Sequence, residues 1–130
     1  MKYVYPAIFT PLEQEGGFDV YVPDLPYVRT CGDTLAEAIE MAEDAISMWL
    51  WDAENEGQEI PSPSQTLSYD QPQFINFIVA DTDEYRKQHD TRAVKKTLSI
   101  PAWLNYKAEQ ANAPFSQILQ EGLKQYIGVE

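Results

Sequence analysis

Lys95, Thr97 and Ser99 occupy alternate positions of the segment Val94–Ile100, a spacing that on an extended chain puts all three polar side chains on one face. Val94, Lys96, Leu98 and Ile100 then share the other face, apolar at three of its four positions. An ammonium and two hydroxyls in a row can contact phosphate oxygens and base edges, which is the chemistry of nucleic-acid recognition. One such strand leaves its backbone unpaired and its apolar face open. Antiparallel pairing with the same strand of a second chain closes that face and doubles the polar one into a six-residue ribbon, which fits the DNA major groove. Lys96 starts from the inward face and is expected to snorkel toward phosphate.

The elements that follow must complete this arrangement. Pro101 offers no N–H to a ladder and presets the first turn of a helix. Leu104, Ala108 and Ala111 then recur at spacings of four and three, predicting a helix over 102–111. Asn112, Ala113 and Pro114 break it. Phe115, Ile118, Leu119, Leu123, Tyr126 and Ile127 predict a second, strongly periodic helix that stops at Gly128. Val94, Leu98, Ile100, Leu104, Ile118, Leu119 and Leu123 are the expected core of a homodimer.

Lys95-Lys96-Thr97-Leu98-Ser99-Ile100-Pro101, with Trp103 to Ala111 and Phe115 to Leu123, resembles a ribbon-helix-helix DNA-binding domain of the Arc/MetJ/CopG type. The resemblance implies that Lys95, Thr97 and Ser99 read bases. It also implies a phosphate held by backbone N–H groups at the start of the second helix, around Pro114, Phe115 and Ser116. Pro114 stands where that family has Ser or Thr, so one donor is missing.

Other groups that could do chemistry have local explanations. A two-metal nuclease needs carboxylates converging on ions about 4 Å apart. Of the candidates Asp19, Asp24, Asp33 and Asp81, Asp33 reads as a helix cap, Asp24 as a turn residue between two prolines, and Asp81 as a strand end. His89 is the one histidine and lies in a charged stretch with no nucleophile motif beside it, so it reads as a solvated side chain. The single Cys31 excludes an intrachain disulfide and a multi-cysteine zinc site. The expectation is a protein with no catalytic residues, metal or cofactor.

Upstream, Lys2–Phe9 and Phe18–Val22 alternate as two strands of a hairpin around the polar Pro11–Gly17 turn. Pro23-Asp24-Leu25-Pro26 links them to a third strand, Tyr27–Cys31. Thr34 and Glu37 have capping-box spacing, with Asp33 as an alternative cap. The long helix they open carries Leu35, Ala38, Ile39, Ala42, Ile46, Trp49 and Leu50 on one side, with Glu37, Glu40, Glu43 and Asp44 on the other. Trp49, Trp51 and Trp103 read as core or interface aromatics; Trp51, off the stripe, is the better candidate for an exposed contact. Asn55–Gln73 has no periodicity and reads as a loop that need not order itself. Gln73–Ala80 is a compact apolar run, read as a buried final strand. The expected organisation is a domain over 1–80, a charged linker over 81–92 with room for a helical turn, and the DNA-binding domain over 93–130.

Charge divides the same way. The net charge is −12 over 130 residues, yet residues 93–130 hold four lysines against three acids, leaving −13 on residues 1–92. A near-neutral segment can meet DNA through a few lysines, whereas a strongly acidic one repels phosphate and attracts a basic partner. No apolar run approaches a membrane span and the N-terminus lacks a signal-peptide core, so a soluble cytoplasmic protein is expected.

The order strand, strand, strand, helix, strand, with Gly32-Asp33-Thr34-Leu35-Ala36-Glu37-Ala38 opening the helix, is similar to the HicB antitoxin domain. Phe18-Asp19-Val20-Tyr21-Val22-Pro23-Asp24-Leu25-Pro26 looks like its second-strand motif and Glu59-Ile60-Pro61-Ser62-Pro63-Ser64 like its post-helix loop. The resemblance implies an α+β protein: a partial RNase H-like β-β-β-α-β domain followed by a ribbon-helix-helix. It implies an antitoxin that binds and occludes a HicA-like RNA-cleaving toxin and represses its own operon by binding operator DNA. Dimer and tetramer are both open. The rival reading is a stand-alone regulator whose first domain senses a ligand.

Overall fold

Alternation along β1 (Lys2–Pro11) sorts the first part of the chain into an inner and an outer face: Tyr5, Ala7 and Phe9 are fully buried, while Val4, just before them on the other face, is exposed. The computed structural model describes residues 1–130, which fall into two compact units, Met1–Thr91 and Arg92–Glu130. In the first unit β1 pairs antiparallel on one side with β2 (Phe18–Tyr21), which pairs with β3 (Arg29–Gly32). On its other side β1 pairs with β4 (Phe74–Asp81) from Lys2↔Asp81 to Phe9↔Phe74, so the sheet order is β3-β2-β1-β4.

The helix α1 (Leu35–Glu56) lies on the inner face. Thr34 is its N-cap and accepts from the Glu37 N–H at 3.1 Å, while the Glu37 carboxylate accepts from the Asp33 N–H at 3.3 Å. The capping box is thus reciprocal, shifted by one residue at its far end. Ala38, Ala42, Ile46 and Leu50, each four apart, are fully buried against Tyr5, Phe9, Val20 and Ile78. Small residues at 38 and 42 let the helix approach closely. A Cβ at Gly32 would stand 2.4 Å from the Ala38 nitrogen, so only glycine fits the end of β3.

Three expectations change here. The run at 73–80 is not buried on both sides: Ile78 and Ala80 are, but Phe77 and Val79 are exposed, because β4 is an edge strand and α1 covers one face only. The supposed linker over 81–92 contains α2 (Thr82–His89), which packs on α1 as part of the first unit. Its helicity has a local cause. The Asp81 carboxylate accepts from the Asp83 and Glu84 N–H groups, acids fill the first turn, and Arg86, Lys87 and His89 fill the last. The loop after α1 is pinned rather than loose, since the Tyr5 hydroxyl donates to the Pro61 carbonyl and Ser64 is held by Asp24.

The second unit contains α3 (Ala102–Gln110) and α4 (Phe115–Ile127), and no residue of either is buried. The strand expected over Val94–Ile100 is not formed in the single chain. A ladder requires a second strand to accept its hydrogen bonds, and this unit offers none. No helix is long and apolar enough to cross a membrane.

Candidate functional site

Two surfaces carry the groups singled out from the sequence. On the second unit Lys95, Lys96, Thr97 and Ser99 are all exposed. So are Val94, Leu98, Ile100, Leu104, Ile118, Leu119 and Leu123, with exposures from 39% at Leu119 to 87% at Val94. An amphipathic helix that buries nothing gains little of the stability that packing normally supplies. Pro114 is the N-cap of α4 and makes no side-chain cap hydrogen bond; its carbonyl accepts from the Ile118 N–H at 3.0 Å. The amides of Phe115 and Ser116 belong to the first turn, whose N–H groups have no intrahelical acceptor.

The first unit presents acids. Glu37, Glu40 and Glu43 lie exposed along α1, and a groove of about 500 Å³ between α1 and α2 gathers Glu40, Glu43, Asp44, Asp81 and Glu84. Tyr85 forms part of its wall; burial, and then the charges of Asp44 and Asp52, push its phenol above the ordinary value. Trp51 is not a free contact residue. Its ring lies 5.5 Å from that of Tyr85, on which the His89 ring stacks at 4.0 Å, with His89 Nδ1 2.9 Å from the Tyr85 carbonyl oxygen. This aromatic stack joins α2 to α1. Beside it Glu54 accepts from the hydroxyls of Tyr3 at 3.0 Å and Thr82 at 2.9 Å, and from Arg86 at 3.1 Å, tying β1 and α2 to the end of α1.

The four aspartates are not brought together. Asp24 accepts from Ser64, Asp81 caps α2, Asp33 precedes the N-cap of α1, and Asp19 sits exposed on β2. No group of three or more His, Cys, Asp or Glu side chains is placed to hold a metal ion. Cys31 is free and exposed. Sequence reasoning missed the role of α2, although Asp81-Thr82-Asp83-Glu84 carries a readable N-terminal signal: a capping acid followed by acids in the first turn.

A family model described as the HicB_like antitoxin of bacterial toxin-antitoxin system matches residues 5–119. A 14.9 kDa protein from the rep-hol intergenic region of Haemophilus phage HP1 is 33% identical over 95 residues, spanning 72% of this chain and 71% of that protein. The antitoxin HicB of Escherichia coli K12 is 43% identical over 67 residues, 51% of this chain and 47% of the relative, so that match spans about half its length. A chain of the toxin-antitoxin complex from Streptococcus pneumoniae superposes with a TM-score of 0.60 at 25% identity, covering 97% of this chain and 99% of that one.

Proposed function

The chain belongs to the HicB-like antitoxin family of bacterial toxin-antitoxin systems, and from that premise we propose that it neutralises a small basic RNA-cleaving toxin of the HicA kind and represses the operon encoding both. The first unit is the toxin-binding part, with a partial RNase H-like sheet. Neutralisation here is occlusion, with no chemistry performed by this chain. The observation that carries the reading is the family match over residues 5–119; the −13 charge of residues 1–92 supports a basic partner.

The second unit is a ribbon-helix-helix. Its apolar residues are uncovered in one chain, which supports a homodimer in which two 94–100 segments pair and close over four helices. Lys95, Thr97 and Ser99 then face the major groove, Lys96 reaches phosphate, and the first-turn amides after Pro114 hold a second phosphate. The setting is the bacterial cytoplasm, where operator and toxin are both met; sedimentation separates a dimer from a tetramer.

Co-expression with a small basic toxin of the HicA kind tests the reading. A stoichiometric complex with restored growth is expected. Absence of a complex alongside tight DNA binding would instead make the chain a stand-alone regulator.

A further inference from the structure

We propose that Tyr27 and the cleft beside it form the anchor point at which the basic protein partner docks on the first unit; the proposal rests on the antitoxin reading. Tyr27 has φ 63°, in the left-handed region that glycine enters freely and a residue with a Cβ enters only with strain. Its side chain is 98% exposed, so no packing within the chain offsets that strain. Neither backbone nor core explains an aromatic residue at this position.

The loop that carries Tyr27 is held firmly. The Val22 N–H donates to the Val28 carbonyl at 3.1 Å and the Leu25 N–H to the Val22 carbonyl at 3.2 Å. Val22, Leu25 and Val28 are buried, and Asp24 is fastened to Ser64. A ring projected from a loop already fixed in place loses little conformational freedom on binding, and tyrosine is enriched among residues that dominate protein interfaces.

Beside it lies a cleft of about 260 Å³ whose lining includes Tyr27, Val28, Met48, Trp49, Asp52 and one cation, Arg29, whose guanidinium lies over the Tyr21 ring at 4.1 Å. Met41, Ala45 and Met48 follow one stripe of α1, and both methionines are more than 40% exposed. Methionine adapts its shape to whatever fills such a surface. Asp44 and Asp52 stand one helical turn to either side of Met48. An apolar anchor framed by carboxylates fits a protein that presents an apolar side chain among lysines and arginines. Nucleic acid is repelled by the −13 charge of residues 1–92, and so is a second copy of the same unit.

The test is Tyr27→Gly in the full chain, with Met48→Lys as a second variant. The probe is a small basic RNA-cleaving toxin of the proposed kind, carried as a cleavage-silent variant. For Tyr27→Gly the expected results are a melting temperature equal to or above that of the parent chain and toxin dissociation faster by about tenfold or more. Met48→Lys should accelerate dissociation in the same direction. Dissociation within about twofold of the parent for both variants would overturn the anchor while leaving the antitoxin reading intact. A smaller assembly of the free chain on Tyr27→Gly, with unchanged toxin binding, would assign the cleft to a second copy and also overturn it. Failure of the parent chain to hold the toxin overturns the antitoxin reading, and the anchor with it.

Discussion

Asp24 holds Ser64 with both carboxylate oxygens: one accepts from the Ser64 N–H at 2.7 Å, the other from its hydroxyl at 2.6 Å. The pair joins the turn after β2 to the loop after α1, across 40 residues of sequence. Hydrogen bonds to a charged group contribute about 1.5–3 kcal/mol each. Asp24→Ala removes both and, because the two bonds share one carboxylate and are only part-buried, should lower unfolding free energy by less than their sum, about 2–4 kcal/mol in urea denaturation. Ser64→Ala keeps the backbone donor and should lose about half as much. Limited proteolysis should then cut within residues 58–72 faster in Asp24→Ala than in Ser64→Ala. Equal resistance to both denaturant and protease would remove the pair as the fastening of this loop.

That pair also shows where reading the sequence stops. Local signals were legible: Thr34 and Glu37 cap α1 as their spacing predicts, and the apolar periodicity of Phe115 to Ile127 gives α4 its bounds. Asp24 reads locally as a turn residue, and nothing near it in sequence announces a partner at position 64. Trp51 looked exposed because its stripe was judged on α1 alone, whereas Tyr85 of α2 covers it. Phe77 and Val79 looked buried because an apolar run does not say whether one face or two are covered. The left-handed backbone of Tyr27 is only half signalled: Pro26 suits the second place of a turn, closed here by the Val28 N–H donating to the Leu25 carbonyl at 3.4 Å, but the third place of such a turn calls for glycine or asparagine, not tyrosine.

Thr97→Ala is a test of base readout. In the proposed dimer it deletes two outward hydroxyls at once, and a good base contact is worth about 1–3 kcal/mol. Operator affinity should fall by about tenfold or more while toxin neutralisation stays intact. A gel-shift titration at fixed salt measures the first and a growth assay the second. An unchanged operator footprint would take Thr97 out of the readout set.

Association with the toxin should depend strongly on ionic strength. Glu37, Glu40 and Glu43 lie exposed on α1, where their field reaches a partner across about one Debye length. Stopped-flow on-rates should drop by about tenfold or more between 20 mM and 500 mM salt, with a much smaller change in the off-rate. An on-rate indifferent to salt would mean that the acidic surface does not steer the encounter.

Alkaline conditions should destabilise the first unit. The Tyr5 phenol is pushed above its ordinary value of 10.0, first by burial and then by the charge of Asp24; Tyr85 is raised by burial, then by Asp44 and Asp52. Both shifts favour the neutral phenol in the folded state, which therefore binds more protons than the unfolded chain above that value. Their contribution is fully present below pH 10.0 and is lost as the pH rises through the folded-state values. Melting temperature should fall from about pH 10 upward, and less steeply in Tyr5→Phe. An equally steep fall in that variant would place the alkaline transition elsewhere.

Leu98→Asp separates a paired ribbon from a solvated strand face. In the single chain Leu98 is 58% exposed, so a carboxylate there costs almost nothing if the segment stays alone. In the proposed dimer the two Leu98 side chains are enclosed between the ribbon and four helices, where two like charges without partners cost several kcal/mol, on the order of the pairing energy itself. Sedimentation should then show monomers, operator binding should disappear, and toxin binding by the first unit should persist at the affinity of one site. Because no residue of α3 or α4 is fully buried within one chain, circular dichroism of the same variant should also lose helical signal as the dimer dissociates. A variant that stays dimeric, with helical signal unchanged, would show that Val94–Ile100 is not the pairing strand and that α3 and α4 are covered by other contacts.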